Sequence, residues 1–121
     1  MTADRPVQRR WRYYRTASGR RPVKEFVETL SNVDAAAVYD AMSVTAESGV
    51  ESARHLRGDI YEVRASGDRQ AFRVLFAFEG RYGQVMLALE ALSKKTQKTP
   101  PDAIRLAESR LSDWRSRGAA T

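Results

Sequence analysis

Four short runs of strand character follow one another between residues 54 and 92, separated only by brief turn signals. Arg54-His55-Leu56-Arg57 ends at Gly58-Asp59, and Ile60-Tyr61-Glu62-Val63-Arg64 ends at Ser66-Gly67-Asp68-Arg69. The apolar run from Ala71 to Phe78 ends between Gly80 and Gly83, and a second apolar run, Val85 to Leu92, follows. Glycine and aspartate at these breaks suit tight turns. Strands so close together, with such short turns, predict an antiparallel meander.

The flanks of the meander read differently. Arg10-Trp11-Arg12-Tyr13-Tyr14-Arg15 is aromatic and partly alternating, which predicts one further strand, broken at Ser18-Gly19. A helix is expected from Arg21-Pro22, with Val23, Phe26, Val27 and Leu30 at helical spacing and Pro22 suited to the first helical position. Ser31-Asn32 interrupts it. A second helix is expected from about Asp34 to Glu47, with Ala35, Val38, Tyr39, Met42 and Ala46 on one stripe and Gly49 as its stop. The pair would form a helical hairpin. In the last helix Thr99 reads as the cap, Pro100 as the first helical residue, and Ile104, Ala107, Leu111 and Trp114 as the apolar stripe. The order β-α-α-β-β-β-β-α predicts an α+β fold: a small twisted antiparallel sheet with two N-terminal helices and a C-terminal helix. The 121 residues suit a single domain, with 1–8 as a loose tail.

The formal net charge is +6, and it is unevenly spread. Residues 1–24 hold eight Lys/Arg against Asp4 alone, and residues 25–53 hold six acids and no base. Residues 94–117 hold seven bases against three acids. A basic balance favours polyanionic partners. The acidic block reads either as a solvated helix face or as a device that keeps nucleic acid on the opposite side. The absence of cysteine excludes disulfides and thiol chemistry, and the single histidine, His55, argues against a zinc site. No metal and no small-molecule cofactor are expected. No apolar run approaches 18 residues, and the arginine-rich start does not read as a secretory signal, so a cytoplasmic protein with no membrane partner is expected.

Two arginines interrupt strands. Arg64 ends one, and Arg73 lies inside the otherwise apolar run from Ala71 to Phe78. Phe72, Val74, Phe76 and Phe78 form the natural core face, which leaves Arg73 on the second, more open face with Ala71, Leu75 and Ala77. An even-numbered turn would make Arg64 and Arg73 cross-strand neighbours there; an odd one would separate them. Adjacent guanidiniums need an anion between them. Glu62 could supply it in an Arg–Glu ladder on a solvated sheet, or a phosphate could. Lys94 and Lys95 follow the last strand and could reach the same face. Arginine and lysine together can bind a phosphate and offset charge in a phosphoryl transition state. RNA carries its own nucleophile, the 2′-hydroxyl, so a basic cleft without a metal favours RNA over DNA as a substrate. Arg57, Arg69 and Lys98 are candidate backbone contacts, and Tyr61 and Tyr82 could stack on bases, although Tyr61 equally suits a half-buried position. His55 reads as structural, Trp114 as helix packing, and the arginines among Trp11, Tyr13 and Tyr14 as charges protecting an edge strand or as an RNA-facing row.

Taken together, Gly58-Asp59-Ile60-Tyr61-Glu62-Val63-Arg64, Phe72-Arg73-Val74-Leu75-Phe76, Lys94-Lys95-Thr96-Gln97-Lys98-Thr99-Pro100 and Ala107-Glu108-Ser109-Arg110 resemble the phage-derived toxin family of the RelE/HigB superfamily. The likeness runs from about Trp11 to Trp114. It implies a RelE/ParE-like fold and the toxin of a toxin–antitoxin pair, an mRNA interferase that enters the ribosomal A site and arrests translation and growth. It also implies a small helix-turn-helix antitoxin as partner. The acidic segment from Glu25 to Glu51 and the last helix are candidate contacts for that antitoxin. By position, Arg64 and Arg73 match the arginines that hold the scissile phosphate. Lys94 and Lys95 match the basic pair that binds RNA and assists charge or proton transfer. Relatives often carry a histidine, and a phenylalanine two residues later, where this chain has Glu90 and Leu92. Glu90 could replace a base, but its charge opposes phosphate binding. Two other readings stay open on this fold: a non-enzymatic inhibitor of DNA gyrase, and an inactive RNA-binding relative.

Overall fold

The computed structural model describes residues 8–93 and 98–118. Strand β1 (Arg10–Tyr13) leads into helices α1 (Pro22–Glu28) and α2 (Asn32–Ser48). Strands β2 (Arg54–Arg57), β3 (Ile60–Ser66), β4 (Ala71–Glu79) and β5 (Val85–Ser93) follow, and helix α3 (Pro101–Ser116) closes the chain. The five strands form one sheet in the order β1-β5-β4-β3-β2.

The meander from β2 to β5 is antiparallel throughout. β1, however, pairs with β5 in parallel, Arg10 opposite Val85 and Tyr13 opposite Ala88, so the sheet is mixed where an antiparallel one was expected. Short turns force neighbouring strands to alternate in direction. The connection through α1 and α2 is long enough to impose no such constraint on β1.

Local chemistry sets most helix ends. Pro22 occupies the first turn of α1, and the Ser31 hydroxyl accepts from the Asp34 amide at 3.2 Å to start α2. Gly49, at φ 66°, ends α2 in a backbone region that side-chain-bearing residues avoid. The start of α3 departs from expectation: Pro100 is the capping residue and Pro101 the first helical one, with no side-chain cap. Thr99 is therefore released for another task.

Helices cover both faces of the sheet. On one, Val23 and Val27 of α1 and Val38 and Met42 of α2 pack on Val63, Phe72, Val74, Phe76 and Met86. On the other, Ala107 and Leu111 of α3 pack on Ile60, Leu75, Ala77, Leu87 and Leu89. The alternation along β4 is as expected, but the Arg73 face is not open, because α3 covers it. The stripe of α2 is also rotated: Asp34, Val38, Met42 and Thr45 are buried, whereas Tyr39 is exposed. Alanine on several sides of α2 weakens the contrast that would orient it. Asp34 is inward because its Oδ1 accepts from the Asp68 amide at 2.8 Å, tying α2 to the β3–β4 turn.

Two bulges redirect side chains. Arg54 faces Glu62 and His55 faces Tyr61, but Arg57 faces Ile60, which leaves Leu56 as the extra residue. In β5 the shift between Leu75 and Phe76 leaves Leu89 unmatched, so that Leu89 and Glu90 both turn toward α3. Among the described residues no helix is long and apolar enough to cross a membrane.

Candidate active site

Arg64 on β3 and Arg73 on β4 are direct cross-strand partners, the arrangement expected for an even-numbered connection. Period-two alternation puts Glu62 on the same face. Its Oε2 accepts from Arg64 Nε at 2.8 Å, and its Oε1 accepts from the Thr99 hydroxyl at 2.5 Å. Thr99 Oγ1 in turn accepts from Arg73 Nη1 at 2.9 Å. Arg73 Nη1 lies 4.0 Å from Glu62 Oε1, so the threonine stands between the two charges. A carboxylate thus separates the guanidiniums, but in the interior rather than on a solvated ladder: the side chains of Glu62 and Arg73 are 0% and 4% exposed. Arg64 keeps 33% of its side chain in solvent.

This burial has an electrostatic consequence. Desolvation pushes the Arg73 pKa down, Glu62 opposes that shift, and the neighbouring Arg64 and Arg54 add to it. The guanidinium remains a cation, because arginine starts far above neutral pH. Above it opens a cleft of about 330 Å³ lined by Arg54, Leu56, Arg64, Lys98, Thr99 and Ile104. Three cations around a partly apolar floor can hold a phosphodiester and pack against its sugar or base. A larger hollow of about 500 Å³ lies beside α3, with Asp59, Glu108 and Arg115 in its lining. There the charges neutralise one another: Arg115 pairs with Glu79 at 2.6 Å and Asp59 at 3.0 Å, and Glu108 pairs with Arg57 at 2.6 Å. It offers an anion far less than the cleft at Arg64.

The other sequence candidates divide. Lys98 lines the cleft. Arg57 does not; the bulge at Leu56 turns it to α3, where Nε and Nη2 donate to Glu108 at 3.0 and 2.6 Å. Tyr61 lies on the opposite face of the sheet, half-buried among His55, Phe76 and Phe78. His55 Nε2 lies 2.8 Å from the Gly58 carbonyl, within the β2–β3 turn. Arg69 is exposed in the β3–β4 turn, and Tyr82 is 80% exposed. Glu90 shares the Arg73 face, two strand positions along, and its Oε1 accepts from Arg110 of α3 at 3.2 Å. Lys94 and Lys95 lie outside the described residues. Trp114 packs against the second core, with Arg12 over its ring at 5.1 Å. Among the described residues no group of three or more His, Asp or Glu could hold a metal ion.

Two contributors escaped the sequence reading. Arg54 sits opposite Glu62 and lines the cleft. Its signal was its alternation with His55 on a short strand, but the pairing register was needed to use it. Thr99 looked like a helix cap and is instead a buried bridge between two charged side chains.

Residues 24–112 match the family described as phage-derived protein Gp49-like. The chain is also 36% identical over 109 residues to proteins named probable endoribonuclease HigB1 in two strains of Mycobacterium tuberculosis. Each alignment covers 87% of this chain and 84% of the relative. A family match across most of the sequence, joined by relatives at this identity, places the chain in the phage-derived Gp49-like family of HigB-like toxins.

Proposed function

We propose that this endoribonuclease, the toxin of a toxin–antitoxin pair, cuts mRNA on the ribosome in the cleft above Glu62, using the RNA 2′-hydroxyl as nucleophile. The observation that carries the reading is a buried carboxylate fixing Arg64 beside Arg73 beneath a cationic cleft. Arg64, the more exposed of the two, takes the scissile phosphate directly, while Arg54 and Lys98 hold neighbouring parts of the backbone. Arg73 supplies positive potential from below. The 2′-oxygen attacks phosphorus and the bond to the 5′-oxygen breaks, giving a 2′,3′-cyclic phosphate and a 5′-hydroxyl. Negative charge on the phosphoryl oxygens grows on the way to the transition state, so cations already in place stabilise it selectively.

Two proton transfers remain, one from the 2′-hydroxyl and one to the leaving 5′-oxygen. Glu90, paired with Arg110 at 3.2 Å, is the proposed acceptor. Lys94 and Lys95, which follow β5 in sequence, are the proposed donors to the leaving oxygen and contacts for RNA. The helix-turn-helix antitoxin remains the proposed protein partner.

The test is primer extension on translated mRNA after brief induction, with wild type, Arg64→Ala and Arg73→Ala side by side. Discrete in-frame cuts in wild type, reduced about 100-fold or more by Arg64→Ala, are expected. Growth arrest without cuts would overturn the reading and direct attention to a protein target such as DNA gyrase, read by plasmid supercoiling.

A further inference from the structure

We infer that Thr99 is a positioning residue whose hydroxyl anchors Lys98 at the cleft beside the strand arginines. The inference rests on the ribonuclease reading of the same cleft. A threonine hydroxyl has one proton to give and lone pairs to receive with. Here the proton goes to Glu62 Oε1 at 2.5 Å, and a lone pair accepts from Arg73 Nη1 at 2.9 Å. Both neighbours are buried, and Thr99 itself is only 5% exposed. The donor and acceptor directions are therefore set by a fixed anion and a fixed cation.

Two geometric effects follow. First, the hydroxyl occupies the space between Arg73 and Glu62, whose atoms stay 4.0 Å apart. Without it Arg73 could close onto Glu62 Oε1 and disturb the carboxylate that orients Arg64 through Oε2 at 2.8 Å. Second, Thr99 follows Lys98 directly and precedes Pro100 and Pro101, which lead into α3. The proline pair restricts the backbone after it, and the buried bridge fixes the backbone at it. Lys98 is thereby delivered to the cleft that Arg64 and Arg54 also line. A valine at 99 would keep the shape and lose both hydrogen bonds; a serine would lose a methyl group and keep both.

The experiment compares full-length wild type, Thr99→Val and Thr99→Ser in two assays. In single-turnover cutting of mRNA on programmed bacterial ribosomes, Thr99→Val is expected to fall at least about tenfold, and Thr99→Ser to stay within about threefold of wild type. In limited trypsin digestion, cleavage between Lys98 and Thr99 is expected to accelerate about fivefold or more in Thr99→Val and to change little in Thr99→Ser. Wild-type cutting by Thr99→Val, or an equal loss in Thr99→Ser, overturns the inference, since either result shows that the hydroxyl is not what matters. If Thr99→Val does not fold, Thr99→Ser decides alone: it must keep both its cutting and its resistance to trypsin. If wild type itself does not cut, the ribonuclease reading fails, and the digestion still reports whether the hydroxyl anchors the chain at Lys98 and Thr99.

Discussion

Replacing Glu62 by alanine removes a carboxylate that lies against Arg64 and reaches Arg73 through Thr99. Glu62 has no exposed side-chain surface, and Arg73 has 4%. Breaking a buried pair by deleting one partner leaves an uncompensated charge and costs about 3–5 kcal/mol. A domain of this size is stable by roughly 5–15 kcal/mol in total, so the variant should lose a large share of its stability. Each kcal/mol corresponds to roughly 3–5 °C at this chain length, which predicts a Tm lower by about 10–25 °C. The complementary variant carries Glu62→Leu and Arg73→Met together. With both charges gone, no buried charge is left uncompensated; the Thr99 hydroxyl loses these two partners at a cost of about 1–3 kcal/mol, so stability should return to within about 1–3 kcal/mol of wild type. RNA cutting should not return, because the field beneath Arg64 is gone. Urea and thermal unfolding followed by circular dichroism measure all three proteins. A Glu62→Ala loss below about 1 kcal/mol would refute the argument from burial. So would a double variant no more stable than Glu62→Ala.

Other consequences are simpler. A Cβ on Gly67 would stand 2.3 Å from Asp34 Oδ1 and 2.7 Å from Phe72 Cε2, so Gly67→Ala should destabilise by about 1–3 kcal/mol in urea unfolding. Tyr14 and Asp113, joined at 2.6 Å, should shape the pH profile of stability. Burial, and then Asp113, raise the Tyr14 pKa, so its contribution is complete below about 10, the unfolded value, and is lost as pH rises through the higher folded one. The Tyr14 hydrogen bond lowers the Asp113 pKa, so that contribution is present above about 3.9 and is lost as pH falls through the lower folded value. Tyr14→Phe should flatten both limbs when unfolding is measured from pH 3 to 11; unchanged limbs would contradict the assignment.

Local sequence was enough for the elements themselves. Turn residues at Gly58-Asp59 and Gly67-Asp68, a proline at position 22 and period-two alternation along β4 act within a few residues, so they could be read without the fold. The facing of Arg64 and Arg73 was legible for the same reason, since the parity of a short connection fixes which strand residues share a face. What lies over a face is not a local property. Alternation assigned Arg73 to the side away from the large apolar residues, but only the docking of α3 made that side an interior, and with it the Arg73 charge a buried one. The same docking decided that Thr99 bridges two charges rather than capping a helix. The bulge at Leu56 turned Arg57 toward Glu108, and the long route through α1 and α2 let β1 run parallel to β5. Sequence thus determined which residues could carry the chemistry. Tertiary packing decided which of them meet, because burial and charge pairing depend on segments far apart in the chain.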